Sequence, residues 1–258
     1  MRRLLLIGIG AGDPAHITVE AIAALNEADV LFVVEKPEER RELVRLREEI
    51  CTRYIEDESA YRSVHVADPE RDRGAEAYRS AVEDWRRRRA DAWEAALAAE
   101  LGPDDTGAFL IWGDPSLYDS TLAVVDDVLA RGSIVFEHRV VPGISSVQVL
   151  AARFRIPLNR VGGAVQITPG RLLLDGWPAG VDDVVVMLDA RSAFRSVAGE
   201  GLDIYWGAYL GTPDELLLSG PLDDALMDEI ERVRSEARER QGWIMDTYLL
   251  RRRRPVRR

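Results

Sequence analysis

Leu4-Leu5-Leu6-Ile7-Gly8-Ile9-Gly10-Ala11-Gly12-Asp13-Pro14 is the stretch on which the fold turns. Behind Met1-Arg2-Arg3 it imitates a signal peptide, yet its apolar run covers only Leu4–Ile9 before glycines, an aspartate and a proline break it. A short run bounded by turn residues reads as a buried strand. Glycines at every second position then let the backbone turn sharply and bring its N–H groups close to a flat or anionic ligand.

Outward from this strand, short apolar segments alternate with amphipathic ones. Thr18 caps a helix predicted over Val19–Ala28, Val30–Val34 follows as a second strand, and Tyr61–Val66 alternates weakly as a third. A long helix is predicted from Ala75 to Ala99 on the spacing of Tyr78, Val82, Trp85, Ala92 and Ala96, with the Arg89 stem running out to water. Phe109–Trp112 and Ile134–Val141 read as buried strands, separated by a helix that Gly132 closes. Such alternation implies a parallel sheet with helices on its faces. Beyond Pro142–Ser146 come a helix at Val147–Phe154, then strand-like runs at Ala164–Thr168, Asp183–Leu188, Asp203–Leu210, Leu216–Ser219 and Trp243–Leu250, with one long helix at Asp223–Gln241. The expectation is an α/β protein of two domains: residues 1–148 with a parallel sheet, and residues 149–258 as an α+β layer with a mixed sheet.

With 258 residues, 47% hydrophobic and 31% charged, the chain can bury an ordinary core without a disulfide or metal staple. Cys51 is the only cysteine, and His16, His65 and His138 lie far apart in the sequence, which argues against a metal site and for a reducing, cytoplasmic setting. No run of 18 apolar residues is present, so no membrane partner is expected. A net charge of −11 argues against nucleic acid as a partner, and the arginine-rich end RRRRPVRR reads as a frayed terminus. Arg86–Arg89 reads as the wet face of its helix.

Two further stretches repeat the construction of the first. Ile111-Trp112-Gly113-Asp114-Pro115-Ser116-Leu117-Tyr118-Asp119-Ser120-Thr121 and Val140-Val141-Pro142-Gly143-Ile144-Ser145-Ser146-Val147-Gln148 each place a glycine-containing turn after a strand and before a helix. Three such turns at the carboxyl ends of parallel strands fall on one sheet edge, where open α/β folds bind ligands. A dinucleotide fold with Glu35 as its ribose-binding acid is the obvious candidate. Its G-x-G-x-x-G spacing is absent, however, because Asp13-Pro14 follows Gly12 and the helix starts only near Thr18.

In order and spacing, GIGAGDP with HITVEAIAALNEADVLF, WGDPSLY, VVPGISS and IPLNR resemble the tetrapyrrole methylases, S-adenosylmethionine-dependent enzymes of cobalamin and sirohaem biosynthesis. The likeness runs from about Arg3 to Arg252. Within the family, DVVVMLDAR, IYWGAYLGTPDE and GWIMDTYLLRR are similar to members that methylate a precorrin with release of acetate. The resemblance implies S-adenosylmethionine in a cleft between two domains, S-adenosylhomocysteine as product, a small-molecule tetrapyrrole substrate and a homodimer. The cofactor-binding residues it implies are Ala11, Gly113, Asp114, Pro115, Tyr118, Ser145, Ser146, Met187, Gly211 and Thr212, with Gly10, Gly12 and Asp13 at the mouth of the active site. Many relatives carry a proline where this chain has Ala11. Another precorrin or uroporphyrinogen methylation within the family is the alternative, and nicotinamide-dependent oxidation a more distant one.

The implied chemistry demands few catalytic side chains. A sulfonium methyl is already activated and the macrocycle is a carbon nucleophile, so in-line positioning supplies much of the acceleration. Release of acetate does need water to add to a carbonyl, which calls for a base and an oxyanion donor. Asp13, Asp114, Tyr118 and His16 are the candidates, each with a cap, turn or packing role as its alternative. Lys36 is the only lysine, so a polycarboxylate is expected to be held by arginine, whose planar fork matches a carboxylate. Arg171 and Arg191 lead that set, with Arg160 and Arg195 beside them.

Overall fold

Leu4 and Leu6 lie in one apolar layer with Phe32, Trp93 and Phe109, while Leu5 and Ile7 lie in another with Ala21, Leu25 and Ile50. Burial on both faces is why the run is continuous rather than alternating. The structure, a computed structural model, describes residues 1–34, 41–70 and 78–253. The chain divides into two compact units, Met1–Ser145 and Ser146–Arg258. Among the described residues no helix is long and apolar enough to cross a membrane, and no three His, Cys, Asp or Glu side chains are grouped to hold a metal.

The first unit runs β1 (Arg3–Gly8), α1 (Val19–Asn26), β2 (Val30–Val34), α2 (Arg41–Tyr54), β3 (Arg62–Val66), α3 (Tyr78–Glu100), β4 (Thr106–Ile111), α4 (Thr121–Arg131) and β5 (Glu137–Val141). Its strands pair in parallel in the order β3-β2-β4-β1-β5. Thr18 Oγ1 accepts the Ala21 N–H at 3.1 Å to start α1, and Gly132, at φ +70°, closes α4. Trp93 of α3 stacks on Phe109 of β4 with ring centroids 3.8 Å apart, and Phe109 on Phe32 of β2 at 5.1 Å.

Three expectations change here, and a fourth falls outside the described residues. The helix α2 was not foreseen, because half of its residues are charged and only residues such as Leu46 and Ile50, one turn apart, face the core. β5 is an edge strand, exposed along its length apart from Val141, so Ile134–Val141 is not a buried strand. The long helix is described from Tyr78, and the expected start at Ala75 lies outside the described residues. Arg89 does not run out to water. Its guanidinium is buried between the rings of Trp85 and Trp93, 5.2 and 5.1 Å from their centroids, with Nη1 donating to Ser120 Oγ at 2.8 Å and Nε 3.2 Å from Asp68. Two ring faces, a hydroxyl and a carboxylate replace its water.

The second unit runs α5 (Ser146–Phe154), β6 (Val165–Pro169), α6 (Gly170–Leu173), β7 (Asp183–Met187), β8 (Leu202–Ala208), β9 (Leu216–Pro221), α7 (Asp224–Gln241) and β10 (Asp246–Arg252). The sheet order is β6-β7-β10-β8-β9; β6 and β7 are parallel and the other pairs antiparallel. The α/β class with a parallel first sheet and a mixed second one is therefore as expected. Asp223 caps α7 by accepting the Leu226 N–H at 3.0 Å, and Gly242 ends it at φ +76°.

The arginine-rich end departs from the expectation of fraying. Arg251 and Arg252 belong to β10, and the Arg253 N–H donates to Gly201 O at 2.9 Å. Arg251 Nε lies 2.5 Å from the fully buried Asp183, and its Nη2 reaches the carbonyls of Pro157 and Leu158 at 2.7 and 3.2 Å. A lattice of this kind makes the charge a structural element rather than a wet tail. Residues 254–258 lie outside the described residues.

Candidate functional site

Three strand-to-helix turns interlock at the carboxyl edge of the first sheet. Beyond the ends of β1 and β4, Gly113 N–H donates to Gly10 O at 2.8 Å and Gly10 N–H returns to Gly113 O at 3.3 Å. Both glycines are left-handed, at φ +85° and +70°. The turn after β5 fits against them so tightly that a Cβ on Gly143 would stand 2.1 Å from Gly113 O, and one on Gly8 would stand 2.6 Å from Gly143 N. Backbone occupies the place of a side chain.

Asp114 ties the second turn to the third. One of its oxygens accepts the Gly143 N–H at 2.9 Å; the other accepts the Ser116 N–H at 2.8 Å and the Ser116 hydroxyl. Partial burial pushes its pKa up, but these donors outweigh burial and hold the carboxyl below the usual range. Asp13 caps the short 3-10 turn Pro14–His16 through the Ala15 N–H at 2.8 Å. His16 packs under Gly10, and its buried Nδ1 has no hydrogen-bond partner among the described residues. Gly113 is different from its neighbours: a Cβ there would meet nothing nearer than Ser145 Cα at 3.9 Å. Ala11, Gly12, Pro115 and Ser145 are buried around these turns, whereas Tyr118 is exposed and left-handed at φ +53°.

In the second unit the expected residues gather at one end of the mixed sheet. Met187 ends β7 and pairs with Thr247 of β10, which pairs in turn with Gly207 of β8. Ser146 Oγ lies 2.9 Å from Thr247 Oγ1. Past β8, Gly211 is left-handed at φ +84° and donates its N–H to Glu215 at 2.7 Å, while Arg153 Nε clamps the same carboxylate at 2.7 and 3.0 Å. Thr212 Oγ1 donates back to Tyr209 O at 2.7 Å. Thr247, Glu215 and Arg153 were not singled out in the sequence; Thr247 sits inside an apolar strand pattern and gains meaning only from its two strand partners.

Arg171 and Arg191 stay at this end, both exposed: α6 starts one residue beyond the Pro169–Met187 pair, and Arg191 N–H donates to Asp189 at 2.8 Å. The other two arginines have protein partners of their own. Arg195 is spent on Glu231 and Asp228, at 2.7 and 2.5 Å. Arg160 donates to Arg252 O at 2.5 Å and through its N–H to Asp183, where β7 begins, roughly 13 Å of strand from Met187. The dinucleotide alternative also fails on topology. β4 lies between β1 and β2, so the end of β2 stands two strands, about 10 Å, from the first glycine turn. Glu35 itself lies outside the described residues.

The model of the tetrapyrrole (corrin/porphyrin) methylases matches residues 3–226. Precorrin-6A synthase (deacetylating) of Sinorhizobium sp is 49% identical over 251 residues, covering 97% of this chain and 95% of that protein. A solved structure of a cobalamin synthesis related protein (CobF) from Corynebacterium diphtheriae is 34% identical, with a TM-score of 0.83 over 97% of this chain and 98% of that one. Uroporphyrin-III C-methyl transferase of Thermus thermophilus, complexed with S-adenyl homocysteine, shares the fold at 20% identity and a TM-score of 0.58, over 96% of each chain. A family match that spans all three interlocked turns, with a relative of nearly half identity along almost the whole length, makes this chain a member of the tetrapyrrole (corrin/porphyrin) methylases.

Proposed function

We propose that the chain is an S-adenosylmethionine-dependent C-methyltransferase of cobalamin biosynthesis that converts precorrin-5 to precorrin-6A, methylating C-1 and releasing acetate. The 49% identity with the Sinorhizobium enzyme over nearly the whole of both chains carries this reading. The first-unit turns suit the cofactor: Gly113 leaves the volume of a side chain open beside Ser145, and His16 Nδ1 is a buried polar atom in want of a partner. When bound, S-adenosylmethionine supplies an electrophilic methyl on sulfur. The residues that would hold it are Gly113, Asp114 and Pro115, with Ala11, Tyr118, Ser145, Ser146, Met187, Gly211 and Thr212.

In this reading Gly10 and Gly12 border the macrocycle, and Arg171 and Arg191 pair with its carboxylates. For the deacylation, water adds to the acetyl carbonyl, the carbon–carbon bond breaks, and its electron pair stays on the ring carbon that takes the methyl. The proton from water needs an acceptor on the chain. Both oxygens of Asp114 are already engaged by three donors, so it serves as the positioning residue of the turn, and Asp13 and His16 are the candidate bases. The reading includes a cytoplasmic homodimer.

Incubation of the chain with S-adenosylmethionine and precorrin-5, followed by mass analysis, tests the proposal. Adenosylhomocysteine and acetate are expected in equal amounts, with oxygen from labelled water in the acetate. A methylated precorrin formed without acetate would replace this reading with another methylation of the same family.

A further inference from the structure

Among the described residues, five other than glycine adopt a left-handed backbone: Tyr118, Arg155, Leu188, Ser192 and Tyr209. Arg155 ends α5, where its N–H donates to Ala152 O and that of Ile156 to Ala151 O, an ordinary helix stop. Tyr209 is buried, its ring edge-on to Trp243 and its hydroxyl on Trp243 O at 2.5 Å, and Ser192 is buried at the start of a 3-10 turn. Leu188 is unlike these three. It directly follows Met187, is 63% exposed and stands at φ +53°, a conformation that costs any residue with a Cβ. Its side chain recovers little burial in return.

The strain is imposed by the next residue. Asp189 is buried, and its carboxylate accepts the N–H groups of Arg191 and Ala193 at 2.8 and 2.6 Å and the Tyr248 hydroxyl at 2.7 Å. Its carbonyl accepts Arg234 Nη2 at 2.5 Å, and Arg234 Nε reaches the buried Asp246 at 3.0 Å, which also accepts Trp206 Nε1 at 3.0 Å. A Cβ on Gly170 would lie 2.7 Å from the Asp189 side chain, so the start of α6 is shaped around it as well. Tyr248 of β10 and the start of α6 thus meet the Asp189 carboxylate, α7 reaches its carbonyl, and β8 joins through Asp246; the geometry they enforce turns an apolar side chain into solvent beside Met187.

We infer that Leu188 is a ligand-binding residue, presenting an apolar surface to a flat ring of the bound ligands, and that Asp189 is the positioning residue that holds it there. The inference rests on the methyltransferase reading, in which Met187 borders the cofactor. A buried, fully satisfied network that over-determines a strained residue is how folds pre-organise a binding surface. The ring is adenine or the macrocycle, and the two are separable by probe.

Leu188→Gly makes the test sharp. Glycine accepts φ +53° without strain, so the melting temperature should hold or rise, while adenosylhomocysteine affinity by calorimetry should fall about tenfold. Leu188→Met, which keeps an apolar side chain, should restore binding. A parallel titration with a porphyrin octacarboxylate, in the presence of adenosylhomocysteine, reads the macrocycle: a loss confined to it moves the contact from adenine to the tetrapyrrole and still supports Leu188 as a ligand contact. Tyr248→Phe, which removes one of the two donors to one Asp189 oxygen, should weaken whichever probe Leu188 serves. Unchanged affinity for both probes in folded Leu188→Gly overturns the inference, as does an altered oligomeric state with binding intact. If the wild-type chain binds neither probe, the functional proposal itself falls and Leu188 falls with it.

Discussion

Gly143→Ala should disrupt the three-turn edge more than any other single methyl group. The new Cβ would lie 2.1 Å from Gly113 O and 2.8 Å from Gly8 C, both backbone atoms that cannot swing aside as a side chain could. The third turn must retreat, and the Gly143 N–H then leaves Asp114, on which it stands at 2.9 Å. Overpacking costs about 1–3 kcal/mol, and loss of a hydrogen bond to a charged group about 1.5–3 kcal/mol. Because retreat relieves part of the clash, the two do not add in full, and a loss of about 2–4 kcal/mol is expected. Gly113→Ala is the control: its Cβ enters open space, so only the left-handed backbone at φ +70° is penalised, by about 1–2 kcal/mol. Urea unfolding followed by circular dichroism should rank the variants wild type, Gly113→Ala, Gly143→Ala in falling stability. Adenosylhomocysteine affinity should already suffer in Gly113→Ala, whose methyl group occupies the open space beside Ser145. A Gly143→Ala midpoint equal to that of the wild type would show that the turns are not interlocked as described.

Arg251→Met leaves Asp183 buried without its cation and should cost about 3–5 kcal/mol, whereas a chain ended after Arg253 should melt like the full one; equal melting of all three would refute the sheet-bound account of the arginine-rich end. Asp114 is held below its usual range when folded, so its stabilisation is complete above about pH 4 and lost as pH falls through the folded value. Urea midpoints of the wild type and Asp114→Asn should therefore differ at neutral pH and converge on the acid side, and parallel curves would contradict the role given to its three donors. Burial, with Glu48 nearby, pushes the Cys51 thiol up to about 11, so iodoacetamide at pH 8 should label it far more slowly in the native chain than in urea. Equal labelling rates would count against that burial.

Much of the fold is local and was therefore legible. Burial on both faces makes Leu4–Ile9 continuous, capping needs only Thr18 and the N–H three residues on, and Gly132 ends α4 by its own conformational freedom. The glycine turns could be placed on one sheet edge because parallel strands all point the same way. The sequence alone did not show how those turns engage, because Asp114 meets a partner 29 residues away and Gly143 is required by a carbonyl of another turn. The rest turned on neighbours as well. Which strand lies at an edge decided that β5 is exposed and that β1 and β2 are held apart by β4. The arginines show the same division. Arg89, Arg251 and Arg195 have identical side chains, yet the first is sealed between two indoles, the second pairs with an aspartate 68 residues off, and the third is spent on a helix. Propensity and periodicity act over a few residues and are written in the chain; desolvation, pairing and close backbone approach depend on what the folded chain brings within a few ångströms, which tertiary structure alone decides.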